Sequence, residues 1–107
     1  MDVTFEDFKK LELRVGKVLS VEDHPDANKL YLITVNIGEE TRRVVAGIKP
    51  YYAKEELVGK SVVVVTNLEP KVIRGVESKG MILASRAGDG LGILTIDREL
   101  PPGSVIS

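Results

Sequence analysis

Residues 42–66 read R-R-V-V-A-G-I-K-P-Y-Y-A-K-E-E-L-V-G-K-S-V-V-V-V-T. Arg42 to Ile48 is expected to form a strand. Pro50 suits the first position of a helix, where its missing N–H would have no partner anyway. Tyr51 to Val58 continue that helix and Gly59 ends it. Ser61 to Thr66 is a strongly apolar, β-branched strand. The centre of the chain is therefore strand, short helix, strand. Upstream, Lys29 to Ile37 alternates and reads as another strand, closed by a turn at Asn36-Ile37-Gly38-Glu39-Glu40. Further upstream, Leu13, Val15, Leu19 and Val21 mark a first strand. Gly16 inside it predicts a bulge or sharp bend. Downstream, Met81 to Ser85 is a fifth strand and Leu91 to Ile96 a further one. Pro101-Pro102-Gly103 breaks the chain before Val105-Ile106.

The order is β-β-β-α-β-β plus extras. A helix between strands three and four of a five-stranded antiparallel set is the order of the OB-fold, a small all-β barrel. A short N-terminal helix is expected in front of it. Thr4 stands at its N-cap with Asp7 three residues on, and Val3 and Phe8 have the spacing of a hydrophobic staple. Phe5 and Phe8 share one face of that helix. At 107 residues, with no repeat and no linker, the chain is expected to be one domain, 1–107.

Composition bounds the function. Without cysteine there is no disulfide or thiolate chemistry, and the single histidine, His24, cannot build a His/Cys metal cluster. There is no phosphate-cradling glycine loop; Gly88-Asp89-Gly90-Leu91-Gly92 lacks the spacing and reads as a turn. The acidic neighbours Glu39-Glu40 and Glu55-Glu56 diverge in space and suit solvated charge better than a general acid/base pair. No catalytic residue, metal ligand or cofactor is expected. No apolar run approaches a membrane span, and the acidic N-terminus does not resemble a signal peptide, so a cytoplasmic location is the expectation. Glutamine is also absent, asparagine scarce, and Glu and Lys plentiful, a bias found among thermophile proteins.

Net charge is −1, but it is unevenly spread: residues 29–86 hold ten cations and six anions, whereas both ends are acidic. Local potential, rather than overall charge, steers a protein toward a polyanion. The stretch N-L-E-P-K-V-I-R-G-V-E-S-K-G-M (67–81) concentrates this charge in Lys71, Arg74 and Lys79 and reads as a charged loop. Arg42 and Arg43 are consecutive on a strand and face opposite ways, so only one can share a surface with Lys71 and Arg74. Lys29, entering strand two, flanks the same groove, because OB-folds bind across the strand 2–3 face. Aromatic residues are few. Tyr51 and Tyr52 are expected to pack against or cap the barrel. That scarcity favours a folded RNA read through backbone and shape over a generic single strand.

The segments L-R-V-G-K-V (13–18), H-P-D-A-N-K-L (24–30), V-A-G-I (45–48), L-V-G-K (57–60), V-V-V-V-T-N-L-E-P (62–70) and R-G-V-E-S-K-G-M-I-L-A (74–84) are similar to the tRNA-binding OB domain family. The resemblance covers roughly residues 5–107. It looks most like the C-terminal domain, or separately encoded beta subunit, of methionyl-tRNA synthetase. It implies a non-catalytic homodimer that grips the outer corner of tRNA with little sequence preference and holds it near a catalytic synthetase chain, in cis or in trans. By motif position it implies tRNA-binding roles for Lys29, Arg42, Asn67, Lys71, Arg74, Ser78, Gly80 and Met81. Arg43 stands where relatives often carry a neutral residue and is left out. Asn28 departs from the Asp of many relatives. Phe5 and Phe8, with Val105 and Ile106, are the expected dimer interface, since both termini carry apolar residues that a second copy would cover. The alternative reading is a protein-interaction or chaperone-like OB module.

Overall fold

Strand β1 (Leu13–Asp23) is the spine of the molecule, which a computed structural model describes over residues 1–107. Its first half pairs antiparallel with β4 (Ser61–Val65), from Leu13↔Val65 to Lys17↔Ser61. Its second half pairs with β2 (Tyr31–Asn36), from Lys17↔Asn36 to Asp23↔Tyr31. One strand can serve two neighbours in turn because it bends. The bend is a bulge: register with β2 shifts between Val18 and Ser20, and the extra residue, Leu19, is exposed. The sequence expectation had attached this bend to Gly16. Gly16 instead sits in regular pairing with Val62, and its missing side chain serves close packing. A Cβ there would stand 2.9 Å from Val64 Cγ2.

Strand β3 (Thr41–Ala46) pairs with β2, and β7 (Met81–Ile82) with β4, giving the order β3-β2-β1-β4-β7. The sheet curls into a nearly closed five-strand antiparallel barrel of the OB type, as the element order predicts. Closure needs Gly80: a Cβ there would meet Val65 O at 3.0 Å and Val44 Cγ1 at 3.4 Å, and its φ of +136° suits only glycine. The barrel core is aliphatic, built on Val18, Ile33, Val35, Val44, Val62 and Val64 and completed by Leu57. All four valines of 62–65 are buried, because their outer face is covered as well. Residues from 83–104 bond along the strand edges, with Val63 N–H donating to Leu94 O in β4 and Gly103 N–H to Val15 O in β1.

Helix α2, which carries Leu57, occupies the expected place between β3 and β4 but spans only Lys54–Leu57. The amides of Tyr51 and Tyr52 both donate to Ile48 O, making a tight turn, and Ala53 is extended, so the helix cannot start earlier. Gly59 stops it with φ +88°. Helix α1 (Phe5–Phe8) has the expected cap: Thr4 Oγ1 accepts from Asp7 N–H at 3.1 Å. The expected fifth strand divides. Met81–Ile82 stays in the barrel, and β8 (Ala84–Ala87) leaves it to pair with β9 (Gly90–Ile93) as a separate ribbon. The last strand, β10 (Val105–Ile106), pairs with the start of β1. No helix is long and apolar enough to cross a membrane.

Candidate nucleic-acid interface

The charged stretch 67–81 is not an open loop. Lys71–Ile73 (β5) and Val76–Ser78 (β6) pair as a two-residue hairpin. Its turn residues Arg74 (φ +52°) and Gly75 (φ +87°) are both left-handed, the signature of a type I′ turn, whose twist matches that of the strands it joins. Arg74 is the one non-glycine residue with positive φ in the chain.

The hairpin is fastened to the barrel at two places. At its base, Ser78 is buried; its Oγ accepts from Val45 N–H at 2.9 Å and donates to Gly80 O at 3.1 Å. Alongside, Lys79 N–H donates to Arg43 O. At its tip, buried His24 holds the turn. Nδ1 accepts from Asp26 N–H at 3.0 Å, which leaves Nε2 to donate to Ile73 O at 3.0 Å. Arg74 Nη2 returns to Asp26 O at 3.1 Å. The loop 24–30, and with it Lys29, is thereby joined to the hairpin tip. Nothing in an H-P-D turn announces that the His24 ring bridges two loops.

Two adjoining grooves run along the hairpin. Arg42, Thr66, Asn67 and Lys79 line the first; Lys71, Ile73, Met81 and Val45 line the second; Leu68 and Glu69 border both. Arg42 and Lys71 thus line adjoining grooves, and Arg74 bonds to Asp26 O in the loop that carries exposed Lys29. Lys29, Lys71 and Arg74 have no carboxylate ion-pair partner. Arg42 does: its Nε donates to Glu40, and its Nη1 donates to Thr66 O at 2.6 Å. Half-buried, it braces the groove floor. Arg43, which the sequence reading set aside, is exposed and carries no ion pair, and it lines a shallow cleft with Lys79 beside Arg42.

The remaining sequence candidates are placed as framework. Asn67 Oδ1 accepts from Glu12 N–H at 2.8 Å and Nδ2 donates to Lys10 O at 2.6 Å, clipping the end of β4 to the N-terminal segment. Ser78 is buried, Gly80 closes the barrel, and Met81 is half exposed at the groove wall. On the far side of loop 24–30, the Asp23 carboxylate accepts hydrogen bonds from Lys49 and Lys54, which hold its pKa below the ordinary carboxylate value. The terminal candidates meet elsewhere. Phe5, Phe8, Leu11, Leu13, Val105 and Ile106 line one apolar groove, where Phe5 and Val105 are about 70% exposed.

The hairpin thus frames two adjoining grooves of mixed charge, Arg42 and Lys79 facing Glu40 and Glu69 in one, Lys71 and Glu69 bordering the other. Residues 13–105 match the family model "Putative tRNA binding domain". The chain is 53% identical over 104 residues to a methionine–tRNA ligase of Pyrococcus horikoshii, covering 97% of the chain and 14% of that protein. It is 48% identical to that of Thermotoga maritima, covering 98% and 17%. The chain therefore spans only 14% and 17% of these relatives' length. Among solved structures, a MetRS-related protein from Pyrococcus horikoshii superposes with a TM-score of 0.91 at 34% identity over the whole of both chains. The chaperone CsaA of Picrophilus torridus does so with 0.92 at 33% identity, over 99% of this chain and all of the other. The chain belongs to the tRNA-binding domain family, a non-catalytic accessory module, and is related over nearly its full length to part of the methionyl-tRNA synthetases.

Proposed function

We propose that residues 1–107 act as one domain that binds tRNA through its backbone and shape, pairs with a second copy, and supports aminoacylation by methionyl-tRNA synthetase in the cytoplasm. What supports this is the hairpin: it carries Lys71 and Arg74, neither ion-paired to a carboxylate, Arg42 lines a groove alongside it, and its tip bonds to the loop that carries Lys29. Lys29, Lys71 and Arg74 contact phosphates. Arg42, with Asn67, Ser78, Gly80 and Met81, fixes the shape into which the RNA fits. Phosphate contacts position without specifying sequence, so all tRNAs bind alike. Held next to a catalytic chain, in cis or in trans, the domain raises the effective concentration of tRNA there. The second copy docks on the apolar groove of Phe5, Phe8, Val105 and Ile106.

The test is binding of total tRNA as a function of salt. With about three phosphates neutralised, affinity falls roughly fortyfold between ~50 and ~200 mM salt. Loss of binding in Lys71→Ala confined to one tRNA species contradicts backbone recognition. A second reading, protein interaction, draws on the chaperone relatives and the exposed apolar groove. Absence of any tRNA binding at low salt selects it.

A further inference from the structure

Loop 24–30 has cations on both sides. Asp26 O accepts from Arg74; three residues earlier, Asp23 holds Lys49 at 3.1 Å and Lys54 at 3.2 Å. Two ammonium groups on one carboxylate leave a net positive charge. In sequence, Tyr51 stands between those lysines. The hydroxyls of Tyr31 and Tyr52 are engaged, to Tyr52 O and from Ile93 N–H respectively. That of Tyr51 is free and its side chain is exposed. The Arg86 guanidinium lies over the Tyr51 ring, 5.8 Å from its centroid, and has no ion-pair partner. Every residue of β8, which carries Arg86, is exposed. The ribbon does not depend on this pair for attachment, since Ile93 and Leu94 already bond to Tyr52 and to Leu83 and Val63.

We propose that Tyr51 and Arg86 form a stacking station for one unpaired nucleobase of a folded RNA. The inference rests on the RNA-binding reading and deepens it. The phenol ring attracts the exposed guanidinium by cation–π interaction. A base splayed out of an RNA loop stacks on a guanidinium plane, and because every base has a π-face the contact is tolerant of sequence. A single station suits one extruded nucleotide within a structured RNA; coating a strand would need several.

Arg86→Lys separates the plane from the charge. The experiment measures affinity of wild type and variant for total tRNA and for a blunt, fully paired RNA duplex. Stacking on one base makes Arg86→Lys roughly five- to a hundredfold weaker for tRNA, with the salt slope unchanged and duplex binding unaffected. Tyr51→Leu shares that loss and Tyr51→Phe, which keeps the ring, does not. These two variants also decide the matter should Arg86→Lys unfold the ribbon. Wild-type tRNA affinity in Arg86→Lys, or equal losses for tRNA and duplex, overturns the station while leaving RNA binding standing. Failure of the wild type to bind either RNA overturns both.

Discussion

Lys71 and Ser78 are direct partners across one hairpin, yet they do opposite things. The Lys71 ammonium is exposed and unpaired, whereas the Ser78 hydroxyl is spent on Val45 N–H and Gly80 O. Ser78→Ala strands a buried amide, which costs about 1–3 kcal/mol and lowers the urea midpoint. Lys71→Ala leaves that midpoint within the small range of surface changes, and instead weakens tRNA binding and reduces the salt slope by about one. Equal effects of the two substitutions on stability would remove this division. Charge is tuned at Asp23 as well. Hydrogen bonds from Lys49 and then Lys54 depress its folded pKa. Its stabilisation is therefore complete above the unfolded value near ~3.9 and is lost as pH falls through the lower native value. The stability gap between wild type and Asp23→Asn should be open near neutral pH and close in acid. Because Asp23 is exposed, the gap is small, and an acid-side increase would contradict the assigned sign.

The β5–β6 hairpin shows how one residue can carry two duties within an element. Arg74 adopts the left-handed conformation that the I′ turn demands, a conformation Asn accepts more readily than Arg. Arg74→Asn should therefore hold or slightly raise thermal stability, even without the bond to Asp26 O, while tRNA affinity falls as one phosphate contact disappears. A variant that melts much earlier would place the role of Arg74 in the fold alone. This element was hidden in the sequence for a physical reason. Three-residue strands are too short for alternation to register, and Arg-Gly lacks the local preference that makes Asn-Gly a turn signal. The barrel strands were legible because the apolar alternation of Tyr31, Ile33 and Val35 in β2 and the buried run of β4 follow directly from which faces are covered. The bend in β1 was legible as a bend, but Val18 and Val21 face inward across an extra residue, and that register shift is set by pairing with β2, which no single strand reveals. Arg42 was found by its charge; that its guanidinium is tied to Thr66 O is a consequence of barrel closure. His24 was invisible as a fastener because Ile73 lies 49 residues away in sequence.

Across the whole molecule, the groove beside Arg42 and the apolar terminal groove are separate surfaces linked through Asn67. Asn67 borders the first, and its side chain bonds to Lys10 O and Glu12 N–H, in the segment that leads from Phe8 toward β1. Thr66 adds two bonds to Glu12 O, from its amide at 2.8 Å and its hydroxyl at 3.1 Å. Helix α1 is a single turn and has no stability of its own, so its orientation depends on this clip. Self-association through Phe5 and Phe8 should consequently be sensitive to Asn67 even though Asn67 is absent from the apolar groove. Removing two hydrogen bonds of about 0.5–1.5 kcal/mol each by Asn67→Ala should raise the dimer dissociation constant about tenfold or more in sedimentation equilibrium. Phe8→Ser, which removes apolar contact directly without touching the core, should do the same, and Lys71→Ala should not. An Asn67→Ala protein that self-associates like the wild type, alongside a Phe8→Ser protein that is monomeric, would leave the dimer surface intact but uncouple it from the groove.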